Sequence, residues 1–368
     1  TRPPMPLLLP AWVAAAIAAV LLVALVVVLP AGLRVARRDA LTVALLVGGV
    51  ATTISGAAGF DPRTGVGLGI FVAGLGFGGL ALARAADAAT VRVVTRAFLW
   101  SALAASALAL VMLVVRHPVA IYAYANGRAV GTFLNPNELA AYTLVGLGVA
   151  LPLAISSRGR DRLAVATALL LALALAATFS RWGAFSAVCG LAAYGFLVRR
   201  RQLLIGALAV ALIGLALNAV AGSLHHNPRD TEVRLSAWRA GLTTFEHFPL
   251  LGVGPLAYGR TYSALRPPDA PGPRSPVAFD PHSLPLAYAA EGGLLSLVAL
   301  IGAVAIVLRQ LVRAAEGATP ASRSLACGVA AGFIALLVDS GLNTVSVFFA
   351  LFLQVVPLGL AVVRTDAR

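Results

Sequence analysis

The sequence predicts an all-α protein, a polytopic transmembrane bundle of about 11–12 spans with one large polar loop holding an amphipathic helix. Three observations predict it. The chain is 60% hydrophobic and 11% charged, with a mean hydropathy of +0.92, whereas soluble domains are roughly 45–50% apolar. Apolar runs long enough to cross a hydrocarbon core of about 30 Å recur along its length. The arginines fall in every second connection between those runs.

The runs lie at 7–29, 40–57, 66–83, 97–115, 139–155, 163–179, 183–198, 203–221, 284–308, 324–340 and 344–363. Arg34, Arg37 and Arg38 follow the first, and Arg84, Arg92 and Arg96 the third. Arg158, Arg160 and Arg162 follow the fifth, and Arg199, Arg200 and Arg201 the seventh. Arg309, Arg313 and Arg323 follow the ninth, and Arg364 and Arg368 the last. This is the positive-inside pattern, and it puts the C-terminus inside and Thr1 outside. A further helix before Thr1 is compatible with that parity.

The parity also resolves 163–198. One helix of that length would run about 54 Å, too long for the core, and would put two arginine clusters on opposite sides. Two spans with a tight turn at Ser180, Arg181 and Trp182 keep both clusters inside. Arg181 then stands at the outer tip of a hairpin.

The net charge of +14 is therefore mostly topology, and nucleic acid is not implied. All 28 basic residues are arginine, which reads as base composition of a GC-rich genome. Cys189 and Cys327 both lie inside apolar runs, so neither a disulfide framework nor a metal site is supported.

Three parts follow: N-terminal spans at 1–221, about eight of them, a loop at 222–283, and about three C-terminal spans at 284–368. The loop holds nine prolines from Pro228 to Pro281, so much of it is not regular helix. The outer face collects 61–64, 116–138, the tip at Arg181, the loop and the turn after Asp339. All five histidines fall there: His117, His225, His226, His247 and His282.

Within the loop, 231–248 reads as an amphipathic helix with Leu235, Trp238, Leu242 and Phe245 on one stripe, suited to the membrane interface. Arg234 lies on the margin of that stripe and reads equally well as a snorkelling arginine. The glycine pair Gly252 and Gly254 is not a dinucleotide fingerprint, because neither a strand nor a helix flanks it as that motif requires. His282 lies in 280–285 (DPHSLP), where either Asp280 or Ser283 caps the next helix. In both readings His282 stands at a helix N-terminus, whose dipole disfavours imidazolium. It reads as a general base or as a residue that only caps the helix. Asp339 and Glu291 are carboxylates within or at the edge of spans, so each needs a partner. Arg181 or Arg234 is within reach of Asp339, and Glu291, followed by two glycines, reads as support for helix packing.

Four segments together resemble the O-antigen ligase and O-antigen polymerase family. They are 131–139 (GTFLNPNEL), 178–183 (TFSRWG), Arg234-x3-Trp238 leading into 248–254 (FPLLGVG), and His282-Ser283 followed after nine residues by 293–296 (GLLS). Ser296 departs from the ligase form of the last pattern. The resemblance covers about 120–300. It implies a metal-independent membrane glycosyltransferase that takes a glycan from an undecaprenyl-pyrophosphate carrier at the periplasmic face of the bacterial inner membrane. It carries the family's essential arginines and histidine onto Arg181, Arg234 and His282, with no cofactor. Around them Arg128, Asn137, Trp238, His247 and Asp339 are expected to bind substrate. The expected partners are the carrier-linked glycan, a lipid A–core or glycan acceptor and membrane lipids.

Two alternatives share this chemistry: a polymerase joining carrier-linked repeats, and a protein O-oligosaccharyltransferase. A lipid-carrier flippase or exporter belongs to another class. It would show internal repeats and a charged path at the membrane midplane, and the sequence shows neither, with Glu291 the one conspicuous interior exception.

Overall fold

The computed structural model describes residues 40–70, 74, 86–116, 125, 127–133, 135–209, 229–265, 280–316, 319–343 and 359. The runs expected at 7–29 and, apart from Gly359, 344–363 lie outside these residues. So do Arg34, Arg37, Arg38, Arg84, Arg364 and Arg368, the histidines His117, His225 and His226, and the proline-rich stretch 266–279.

The described elements are α1 (Ala40–Ala58), α2 (62–70), α3 (Ala88–Val115), a 3-10 turn (Gly131–Phe133), α4 (Pro136–Ser156), α5 (Arg162–Ala177), α6 (Arg181–Leu197), α7 (201–209), α8 (Arg229–His247), α9 (Tyr258–Leu265), α10 (Leu284–Glu316) and α11 (Pro320–Leu342). No strand occurs among the described residues, and the chain is an all-α polytopic membrane protein. Helices α3, α4, α11 and, over Leu284–Arg313, α10 are long and apolar enough to cross a membrane. At 16 and 17 residues, α5 and α6 sit at the short end of the spanning range of about 17–25.

Helix starts follow side-chain caps. Asp87 accepts from Thr90 N at 2.7 Å and opens α3, so Arg92 and Arg96 lie inside a helix that begins earlier than the apolar run at 97. Asn135 accepts from Asn137 N at 2.8 Å, with Pro136 at the first position of α4. Asp161 caps α5 through Ala164 N, and Ser180 caps α6 through Gly183 N, each at 3.2 Å.

Helices α4 and α11 form the centre of the bundle, where small residues let backbones approach. A Cβ at Gly148 would stand 2.8 Å from the Gly332 Cα, and one at Gly190 of α6 would stand 2.9 Å from the Ala335 Cβ. Helices α6 and α10 pack against α11, α5 against α4, α3 against α5, and α1 against α10.

The hydrogen bonds and ion pairs between elements sort into two ends. At one end Arg96 of α3 pairs with Asp161 at 2.7 Å, and Tyr194 of α6 bonds Ser324 of α11 at 2.7 Å. At the other, the Ala129 amide donates to the Ala177 carbonyl at 2.9 Å, Ser180 meets Asn137, and Arg260 meets Asp61. Thr64 N–H, with Arg260 adding to it, holds the Asp61 carboxyl below its usual range. The first end carries the arginine clusters and the second carries α8 and α9. Helices α5 and α6 therefore run in opposite directions through the turn at 178–180, as the parity requires.

One expected span is interrupted. Helix α10 breaks at Gly293, with φ 63° and ψ −165°, a region essentially reserved for glycine. Its first two turns pack with α8 and α9, and the remainder runs on as the spanning helix.

Candidate active site

The break in α10 is filled by the turn that follows α8. Leu294 N donates to the Pro249 carbonyl at 2.7 Å and Leu295 N to Leu250 at 3.3 Å. In return, Val253 N and Gly254 N donate to the carbonyls of Ala290 and Glu291 at 3.1 and 2.9 Å. The groups that a helix break orphans are thus paired with another backbone. Ser55 of α1 closes the clasp, donating to Leu251 and Glu291 carbonyls at 2.6 and 2.8 Å. Gly252, at φ 68°, lies directly against the Glu291 backbone, where a side chain would collide.

Glu291 does more here than support packing. Its Oε1 accepts from Tyr258 N at 3.1 Å, placing a carboxylate at the start of α9. A helix does open after the glycine pair, at Tyr258, contrary to the sequence reading. No strand precedes it among the described residues, and no glycine pattern of the dinucleotide type is formed.

This clasp fixes α8. Its packed face is the small one, Ser236, Ala237, Ala240, Gly241 and Thr244, because Gly241 sits against Leu286 and Pro281. Buried Tyr258 reaches across to the Ala237 carbonyl at 2.7 Å, and burial pushes its phenol well above its usual range. Leu235 and Leu242 of the apolar stripe remain uncovered at 46% and 53% exposure. That arrangement suits a helix lying in the membrane interface.

From this platform Arg234 and Trp238, one turn apart, reach two different elements. Arg234 Nη2 donates to Asn343 Oδ1 at 3.1 Å, at the end of α11. The Asn343 amide in turn donates to Asp339 Oδ1 at 3.0 Å. Asp339 is fully buried, and its Oδ2 has no hydrogen-bond partner among the described residues. Trp238 Nε1 points at the His282 carbonyl at 3.5 Å, the long limit of such a bond.

His282 has a positive φ of 51° and a half-exposed side chain. Of the two caps the sequence offered, Ser283 immediately precedes α10, its carbonyl accepting from Ala287 N at 2.8 Å. Asp280 instead accepts from the His282 amide at 2.7 Å and lies 3.5 Å from Nδ1. A carboxylate beside the ring favours imidazolium, which opposes the sense of the helix end.

A second group forms around the α5–α6 turn. Arg128 donates through Nε to the Thr178 carbonyl at 2.7 Å and through Nη2 to Asn137 Oδ1 at 3.2 Å. Ser180 Oγ donates to the same Asn137 oxygen at 3.1 Å. Arg181 follows as the exposed first residue of α6. Asn137 lies in the first turn of α4 and Asn343 follows the last turn of α11, and these two helices pack together, so the two groups adjoin at one end of the bundle.

Of the residues singled out from sequence, Arg234, Trp238, His282 and Asp339 are thus tied together, and Arg128 and Asn137 bond the turn that precedes Arg181. His247 stands apart, at the last residue of α8 and about 13 Å along the axis from Trp238 by helical rise. Its Nδ1 lies 2.8 Å from the Thr243 carbonyl of its own helix. Sequence reading missed Asn343, Ser180 and the contact of Asp280 with His282. Asn343 had a usable signal, because it follows Asp339 by four residues and so shares its helix face.

Fold and site define a helical membrane protein that gathers arginine, histidine and carboxylate at one end of its bundle, around α8 and the turns it contacts. Residues 166–301 match the family model described as O-antigen ligase, which bears out the resemblance over that stretch. The matched stretch contains Arg181, Arg234, Trp238, His247 and His282, while Arg128, Asn137, Asp339 and Asn343 lie outside it. No curated protein matches the chain.

Proposed function

We propose that the protein is a glycosyltransferase that moves a glycan from an undecaprenyl-pyrophosphate carrier onto an acceptor hydroxyl, as an O-antigen ligase acting on lipid A–core. The observation that carries this reading is α8, which presents Arg234 and Trp238 together, one linked to α11 and the other to the His282 turn. The arginine parity supports a reading in which this end of the bundle faces the periplasm.

In this reading Arg181 and Arg234 bind the pyrophosphate through charge-assisted, fork-shaped hydrogen bonds and stabilise the charge that grows on it. The acceptor oxygen attacks the anomeric carbon as the bond from that carbon to the phosphate oxygen breaks. The hydroxyl proton passes to His282, whose Nδ1 lies 3.5 Å from the Asp280 carboxylate. With one base and no carboxylate nucleophile assigned, a single displacement with inversion follows. Asp339 and Asn343 hold Arg234 in place, and Arg128 with Asn137 shapes the turn that carries Arg181.

The test is transfer in vitro from purified carrier-linked glycan, with lipid A–core and carrier-linked repeat supplied as separate acceptors. Transfer to lipid A–core supports a ligase, and chain growth on the carrier would make the protein a polymerase. Transfer to neither would remove the proposal.

A further inference from the structure

At the opposite end of the bundle a cavity of about 480 Å³ lies between the end of α6, the start of α7, the end of α10 and the start of α11. Three guanidinium side chains line it. Arg199 follows α6 with a left-handed φ of 56°, Arg201 opens α7, and Arg323 lies in the first turn of α11. Glu316 is the one carboxylate among the described lining residues, which together carry three positive charges against one negative, a net of +2.

We propose that this cavity binds the phosphate headgroup of an anionic glycerophospholipid from the leaflet on that side. Topology alone asks only for arginines in solvated connections. Here arginines from two connections more than a hundred residues apart converge on one cavity among the described residues. Guanidinium matches phosphate in geometry, and the N-termini of α7 and α11 add positive potential at the same place. Basic pockets between spanning helices on this side of a membrane suit anionic headgroups.

The walls specify a lipid rather than a free anion. Phe196, Leu204 and Val312 line the cavity beside the arginines. Phe196 is 74% exposed and Leu204 39%, and the outward surface continues along α7 through Ile205 and Leu208. An acyl chain leaving the cavity meets that apolar surface. The volume lies within the roughly 300–1,000 Å³ of ligand sites, enough for a headgroup and glycerol. None of these residues belongs to the proposed transfer site, and only the choice of leaflet rests on the proposed orientation.

Native mass spectrometry of the full chain in detergent tests this. Phosphatidylglycerol, phosphatidylethanolamine and inorganic phosphate are titrated separately against the wild type, Arg199→Ala, the triple variant Arg199→Ala/Arg201→Ala/Arg323→Ala, and the triple Arg→Lys variant. The expected result is retention of phosphatidylglycerol over phosphatidylethanolamine. Affinity should fall about fivefold for the single variant and about a hundredfold for the triple alanine variant, with partial recovery in lysine. Equal retention of the two lipids, or phosphatidylglycerol binding unchanged in Arg199→Ala and the lysine variant, overturns the proposal. Inorganic phosphate displacing the lipid at equal concentration also overturns it, in favour of a free-anion site. Should the triple alanine variant fail to fold, the single and lysine variants still decide. A wrong membrane orientation or an absent transferase activity would leave these affinities unchanged.

Discussion

Arg234 and Asn343 meet at 3.1 Å although 109 residues separate them, and this bond ties α8 to the end of the central span α11. Hydrogen bonds to charged groups contribute about 1.5–3 kcal/mol, or roughly 10- to 150-fold. Asn343→Ala should therefore lower glycosyl transfer at least tenfold, and it should also lower the melting temperature, because the buried Asp339 carboxyl loses its donor. Asn343→Gln, which keeps the amide but moves it, should recover only part. Full activity in Asn343→Ala would show that Arg234 needs no such support.

Leaving-group binding by a planar fork makes a sharper demand on charge shape. Arg181→Ala and Arg234→Ala should each reduce transfer strongly, and the lysine variants should recover only part, because a point charge does not reproduce two parallel hydrogen bonds. Rates measured with purified donor decide the matter. A fully active Arg181→Lys variant would contradict the assignment of that role.

Asp280 beside His282 gives a signed pH prediction. Its carboxylate favours the protonated ring, so Asp280→Asn should let the imidazole lose its proton at lower pH. The acid limb of the rate profile should move to lower pH in the variant. A limb that stays in place, or moves upward, would mean that Asp280 does not act on the reacting ring.

The clasp at the α10 break predicts a stability effect away from the chemistry. Gly293→Ala forces a side chain into a glycine-only backbone region and against the Leu250 backbone. Strain of this kind costs about 1–3 kcal/mol before the collision is counted. The melting temperature of the detergent-purified protein should drop clearly, whereas Gly302→Ala, with open space around it, should have little effect.

Much of this architecture was legible in the chain because lipid imposes simple rules. Apolar run lengths gave the positions of α4, α6 and α11, and arginine parity required the α5–α6 hairpin that Ser180 caps. The break in α10 was not legible. Gly292 and Gly293 read as packing glycines, since their partner is a backbone turn forty residues earlier and hydropathy continues unbroken through them. Arg234 was ambiguous for a similar reason. One helix turn of sequence does not separate a snorkelling arginine from one whose partner, Asn343, lies on a distant span. The packed face of α8 escaped the stripe analysis because small residues, rather than large apolar ones, make its contacts.

The central claim is that His282 takes the proton in a transfer whose donor is held by arginines. It is tested most directly by comparing wild type and His282→Ala in two assays on the same preparations. One measures transfer from purified undecaprenyl-pyrophosphate glycan to a detergent-solubilised acceptor, and the other measures binding of the carrier lipid. General-base assistance contributes about 10²–10⁴-fold, so turnover should fall by that much, with carrier binding retained and no recovery in His282→Gln. Near-wild-type turnover in His282→Ala would contradict the account and leave His282 as a structural residue of the turn before α10.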